Sequence, residues 1–174
     1  MRPIPLLIRF SLLLLVFTKT EAQKTYILIS KKGGILNTKV IAALPPSLKG
    51  MAAFYSAMGG TNCLDQECGL TTALGLGKQG SDAQKDLIRK YFPDDGAAKL
   101  VISQDCYLQP SSSSSFSRFT SLNFVVVGDT YRVNYELSVY DHGNMKVIRG
   151  PDIYTFSNGI FKNQKRVLYA WTSK

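Results

Sequence analysis

Cys68, His142 and Asp152 are the residues from which a hydrolytic centre could be assembled. Cys68 precedes Gly69 at the head of a short expected helix, where the N-terminal backbone N–H groups lower a thiol's pKa and favour the nucleophilic thiolate. His142 is the only histidine in the chain, so it is the only imidazole available as base, and Asp152 could in principle orient it. A different pairing competes for the same sulfur. Cys63 lies close upstream across the polar loop 61–68, and in an oxidising compartment a Cys63–Cys68 disulfide would leave Cys106 as a buried free thiol. Cys106 pairing with Cys63 or Cys68 is the rival arrangement, and by tying the two halves of the chain together it would stabilise by roughly 3 to 4 kcal/mol. Asp141-His142-Gly143-Asn144 reads as a hairpin tip, which is a poor wall for a base. Cys68 is therefore expected to be structural.

A second set points to binding. Arg132, Asn134 and Glu136 alternate with Tyr131, Val133, Tyr135, Leu137 and Val139, so they share one face of a strand, and Asp152 adds a further carboxyl nearby in the sheet. Together the four could line a pocket for a small ligand. The simpler reading of the first three is the wet face of a half-buried antiparallel strand. Other chemistries find no support. No cluster of His, Cys and carboxylates suits a metal, the serines at 111–115 lack a Gly-x-Ser-x-Gly frame, and Gly75, Gly77 and Gly80 do not follow a strand as a phosphate loop would. No metal and no cofactor are expected.

With 174 residues, 45% of them hydrophobic, the chain can form one domain with a real core. Residues 1–22 stand apart from it. Arg2 and Arg9 precede the apolar run Phe10-Ser11-Leu12-Leu13-Leu14-Leu15-Val16-Phe17, and Thr20-Glu21-Ala22 has the look of a cleavage site, which predicts an export signal cut before Gln23 and a single domain over 23–174. Lys19 and Glu21 end the run too early for a membrane anchor. Losing Arg2, Arg9, Lys19 and Glu21 takes the formal charge from +9 to about +7. The charges are scattered, with one denser group at Lys162, Lys165 and Arg166. That pattern lacks the basic stripe interleaved with aromatics of a nucleic-acid reader, so no nucleic-acid partner is expected, and no stable membrane insertion.

The elements follow from the periods. Residues 25–44 read as two short strands, or as one strand and a helix lead-in, stopped by Pro45-Pro46. Ser47 is a fair N-cap for a helix whose buried stripe is Leu48, Met51, Ala52, Tyr55 and Met58. A short helical stretch follows over 69–76. Ser81 and Gln84 form a capping box for a helix over 82–92 whose apolar face is Leu87, Ile88, Tyr91 and Phe92. From 97 onward the period changes to two, with Lys99-Leu100-Val101-Ile102 strand-like, a strand over 119–127, and the long strand after Gly128-Asp129. Gly150-Pro151 breaks or bulges the next strand, Asn158-Gly159 signals a type I′ hairpin, and a last strand is expected over 166–171. The sum is an α+β fold, N-terminal helices packed on a curved antiparallel meander.

The string from Asp129 to Trp171, with its broken strand Arg149-Gly150-Pro151-Asp152-Ile153-Tyr154-Thr155-Phe156 and the turn Ser157-Asn158-Gly159-Ile160, resembles the meander of the cone-shaped α+β superfamily. That superfamily includes nuclear transport factor two, ketosteroid isomerase and the polyketide cyclases. The resemblance implies a pocket between the concave sheet face and the helices, where its enzymes place an acid or base. Gln66-Glu67-Cys68-Gly69 is similar in turn to the nucleophile region of papain-like peptidases. The expected function is an exported, non-catalytic binding domain, taking a small molecule or a cell-envelope partner. The alternative is a small enzyme, either an isomerase or cyclase working through Asp152 or Glu136, or a thiol hydrolase using Cys68, His142 and Asp152.

Overall fold

A computed structural model of the protein describes residues 21–59, 69–104 and 115–168. The export-signal reading, Cys63, Cys68 and Cys106 therefore lie outside the described residues, apart from the last two positions of the leader. The architecture is α+β, helices against a curved six-stranded antiparallel sheet. Strand β1 (Lys24–Ile29) leads, followed by helices α1 (Thr38–Ala42), α2 (Pro46–Gly59), α3 (Leu70–Ala73), α4 (Asp82–Tyr91) and α5 (Gly96–Gln104). The rest is sheet: β2 (Ser115–Val127), β3 (Thr130–Asp141), β4 (Asn144–Arg149), β5 (Asp152–Ser157) and β6 (Ile160–Lys165). The spatial order is β1-β2-β3-β5-β6, with β4 also on β3.

β3 is the spine because its alternation is clean. Val133, Tyr135, Leu137 and Val139 are buried against the helices, while Arg132, Asn134, Glu136 and Ser138 point the other way. On β2 the inward set is Ser117 and Phe119, then Leu122 and Phe124, a change of parity made by a bulge between Phe119 and Ser121. β4 and β5 are two halves of one broken strand. β4 pairs with the distal part of β3 and β5 with the proximal part, and Gly150-Pro151 stands between them. A Cβ at Gly150 would overlap the Tyr135 ring and the Val133 carbonyl, so only glycine lets the chain cross β3 this closely. The β5–β6 connection has Asn158 at φ 53° and Gly159 at φ 80°, the left-handed pair that a type I′ turn demands.

Helix α2 fills the hollow of the sheet and is buried nearly all round, including Tyr55 and Phe54. Phe54 stacks on Phe92 with centroids 4.6 Å apart, and Phe92 stacks on Phe161 of β6 at 5.1 Å. Gln84 of α4 locks this layer from a buried position, its side-chain N–H donating to Ala53 O at 3.0 Å while its Oε1 accepts from Gly80 N at 2.7 Å.

One open alternative is decided and three expectations are corrected by the structure. Over 25–44 the chain is a strand and a helix, the second of the two readings, since Asn37 caps α1 by accepting from Val40 N. Helix α2 begins at Pro46, whose fixed φ suits the first helical position, so Ser47 lies inside the first turn and is not its cap. Lys99-Leu100-Val101-Ile102 is helical, because Asp95 Oδ1 accepts from Ala97 N at 2.9 Å and Ala98 N at 3.0 Å, starting α5 before the β-branched run can pair. The sheet therefore starts at 115 and not at 97. The last strand spans Ile160–Lys165, not 166–171: Arg166 leaves the ladder, residues 167 and 168 turn helically, and 169–171 lie outside the described residues.

Leu137 is wholly buried and its neighbour Ser138 faces outward. Leu137→Asp is expected to lower unfolding stability by about 3 kcal/mol or more, and Ser138→Asp by no more than about 0.5 kcal/mol. Urea melts of the two variants check this, and equal tolerance would mean the register is wrong.

Candidate functional site

Asp152 opens β5 at an inward position and has no accessible surface. Its Oδ2 accepts from the Tyr55 hydroxyl at 2.5 Å, and its Oδ1 accepts from the Tyr135 hydroxyl at 3.1 Å and from Val167 N at 2.6 Å. The Tyr55 oxygen lies 2.9 Å from the Tyr154 oxygen, which in turn accepts from Arg166 Nε at 3.1 Å. Arg166 closes the chain on Asp95 with a bidentate pair at 3.0 and 2.5 Å. Because Arg166 can only donate and an ionised Asp152 can only accept, the two phenols between them are forced into one direction. Tyr154 donates to Tyr55, and Tyr55 donates to Asp152.

Electrostatics follow from burial. Loss of water pushes the Asp152 carboxyl above the usual carboxylate range, and the bonds from Tyr55, Val167 and Tyr135 pull it back only in part. Burial also raises the phenols of Tyr55, Tyr135 and Tyr154, so they stay neutral donors. Asp95 and Tyr154 hold the Arg166 guanidinium protonated although it is buried, and it lies 5.0 Å from the Phe54 ring centre.

Against the head of α5 lies an open cleft of about 430 Å³. Its helix side is Asp95, Gly96 and Ala97, its sheet side Ile160, Phe161, Asn163 and Arg166, and the exposed Asp94 and Lys162 complete it. Arg166 thus belongs both to the buried chain and to the cleft wall. Asp152 does not line the cleft.

The residues expected to bind ligand are divided between the two sheet faces. Arg132, Asn134 and Glu136 are brought together on the outer face: Arg132 Nε donates to Asn134 Oδ1 at 2.9 Å, and Asn134 Nδ2 donates to Asn123 Oδ1 at 3.0 Å. Arg149 Nε donates to Glu136 at 2.9 Å and holds its carboxyl below the usual range, aided by Thr120. Asp152 is on the inner face, away from all three. Nor does it meet His142. Asp152 is opposite Val133, whereas His142 follows Asp141 at the far end of β3 in an exposed turn. Eight residues of strand at about 3.3 Å each put roughly 26 Å between them. Asp152 cannot orient this imidazole, and Cys68 lies outside the described residues. Among the described residues, no three His, Cys, Asp or Glu side chains gather where a metal could bind, and no helix is long and apolar enough to cross a membrane.

Nothing in the local sequence joins Tyr55, Tyr135, Tyr154, Arg166 and Asp95 into a group. Parity offered a signal: Asp152 shares its face with Tyr154 and Phe156, so a carboxyl among aromatics had to find donors. No family model, no curated protein and no solved structure matches the chain.

The raised carboxyl has a sign that can be measured. An acid whose folded pKa is raised contributes stability that is complete below its unfolded value and is lost as pH rises through the folded one. Asp152→Asn is neutral at every pH and leaves one buried donor without an acceptor, at a cost of about 1 to 3 kcal/mol. Its deficit relative to the parent is expected to be largest at and below about pH 4, the ordinary carboxylate range, and to shrink as pH rises above it in urea melts. A deficit that grows with pH would show the carboxyl lowered instead.

Proposed function

We propose that this chain is an exported, non-catalytic binding domain, on a scaffold akin to the cone-shaped superfamily, whose small-molecule ligand seats in the cleft between α5 and β6. The observation that carries this reading is the cleft itself: an open volume of about 430 Å³ whose helix and sheet walls are tied together by the Asp95–Arg166 pair. Such a wall is preorganised, so binding costs little ordering. Phe161 and Ile160 offer an apolar wall, while Asn163, Lys162 and Asp94 offer polar contacts, which suits a small molecule with an apolar body and a polar end. The non-catalytic reading is supported by the enclosure of Asp152, whose acceptors are engaged by Tyr55, Tyr135 and Val167 away from the cleft. The export reading is supported by the leader-like residues 1–22.

The test uses isotope-labelled protein recovered from the medium or envelope, which is expected to begin at Gln23. In an NMR screen of small molecules, shifts are expected to gather at Gly96, Ala97, Phe161 and Asn163. A side chain added at Gly96 meets no neighbouring atom, so Gly96→Phe is expected to fill the cleft, keep the fold and abolish those shifts. Shifts gathered elsewhere, or unchanged binding by Gly96→Phe, would contradict the cleft as the site. Protein that still begins at Met1 would contradict export.

A further inference from the structure

The outer face of the sheet, which meets the cleft only at Lys162, carries a charge pattern of its own. Arg118, Arg132, Lys162 and Lys165 are exposed, and register places them there: Arg118 opposite Ser138, Lys162 opposite Thr155, and Lys165 opposite Ile153 in the same row as Arg132. None of the four has a carboxylate partner among the described residues. The one carboxylate among the described strand side chains of this face, Glu136, is taken by Arg149. Two strand spacings separate Arg132 from Lys165, about 10 Å, which is close to the Debye length in physiological salt. Arg132 and Lys165 therefore act on an anionic surface together, and Arg118, six residues of strand or about 20 Å further along, adds a separate point of attraction.

Exposed apolar side chains stand among them. Met145 is 70% exposed and Ile27 49%, and Val127 and Val147 also point outward. They are scattered between polar neighbours. A folded acidic partner would need a contiguous dry patch to gain from them, and a soluble polyanion would gain nothing. A lipid headgroup layer accepts isolated apolar side chains and rewards the cations at the same time.

We propose that the outer sheet face docks on the surface of an anionic lipid bilayer, peripherally and without insertion of a helix. The experiment is sedimentation of the chain from Gln23, which contains every described strand and helix, with phosphatidylcholine vesicles with or without phosphatidylglycerol. Two charge-reversed variants are compared, Arg132→Glu with Lys165→Glu on the face, and Lys90→Glu with Lys99→Glu on the exposed helix surface, each checked for an unchanged urea midpoint. The parent is expected to bind only the anionic vesicles and to be released by salt. Each cation near such a surface is worth about fivefold, so the face variant should bind at least roughly twenty-five-fold more weakly. The helix variant should keep most of the parent's binding. Equal loss in both variants would reduce the effect to net charge and overturn the proposal. So would equal binding to neutral vesicles, no binding at all, or retention on a soluble acidic polysaccharide without vesicle binding.

Discussion

A carboxyl group without access to water sits where β5 begins, and the rest of the molecule is arranged around what it needs. Taking an ionised carboxylate into a protein interior costs several kcal/mol unless donors replace the lost water. Asp152 obtains its donors from three separate places, Tyr55 on the central helix, Tyr135 on the long strand, and the backbone of Val167 just beyond the last strand. Each donor must be held to within a few tenths of an ångström, so the requirement of one side chain becomes a constraint on helix, strand and C-terminal turn together. That is how a polar group in an apolar core specifies one packing among many of similar hydrophobic energy.

The constraint continues to the surface. From Tyr55 it passes through Tyr154 to Arg166, and from Arg166 to Asp95, which also caps α5. The same carboxylate therefore starts a helix and anchors an arginine of the sheet side. The cleft lies where these meet, and its shape is inherited from the buried chain behind it. The outer face is different in kind: its bonds are between exposed groups such as Arg149 and Glu136, contribute little to stability, and leave four cations unpaired among the described residues. The inner face fixes the fold, and the outer face is free to carry charge.

Much of the fold was legible because it obeys short-range rules. The period of two from Tyr131 to Val139, the turn at Asn158-Gly159, and the box at Ser81 and Gln84 each state their conformation within a few residues. What failed did so where a distant partner decided. Val101 and Ile102 look like a strand until Asp95 is recognised as a cap, and 166–171 look like a continued strand until Arg166 turns inward to meet Asp95, far away in sequence. The site was half legible for the same reason. Asp152 is recognisable in the sequence as a chemical group, but residue type alone joins Arg132, Asn134 and Glu136 to it, whereas the sheet's parity puts them on opposite faces. Its true partners are tyrosines, which in a sequence look like core.

If the chain from Asp152 to Asp95 acts as one unit, its ends are energetically coupled although they do not touch. A double-mutant cycle on Tyr55→Phe and Asp95→Asn measures this directly, since asparagine can still cap α5 while losing the charge that holds Arg166. The account predicts a coupling energy of about 0.5 to 3 kcal/mol in urea unfolding. Strict additivity of the two changes would contradict it.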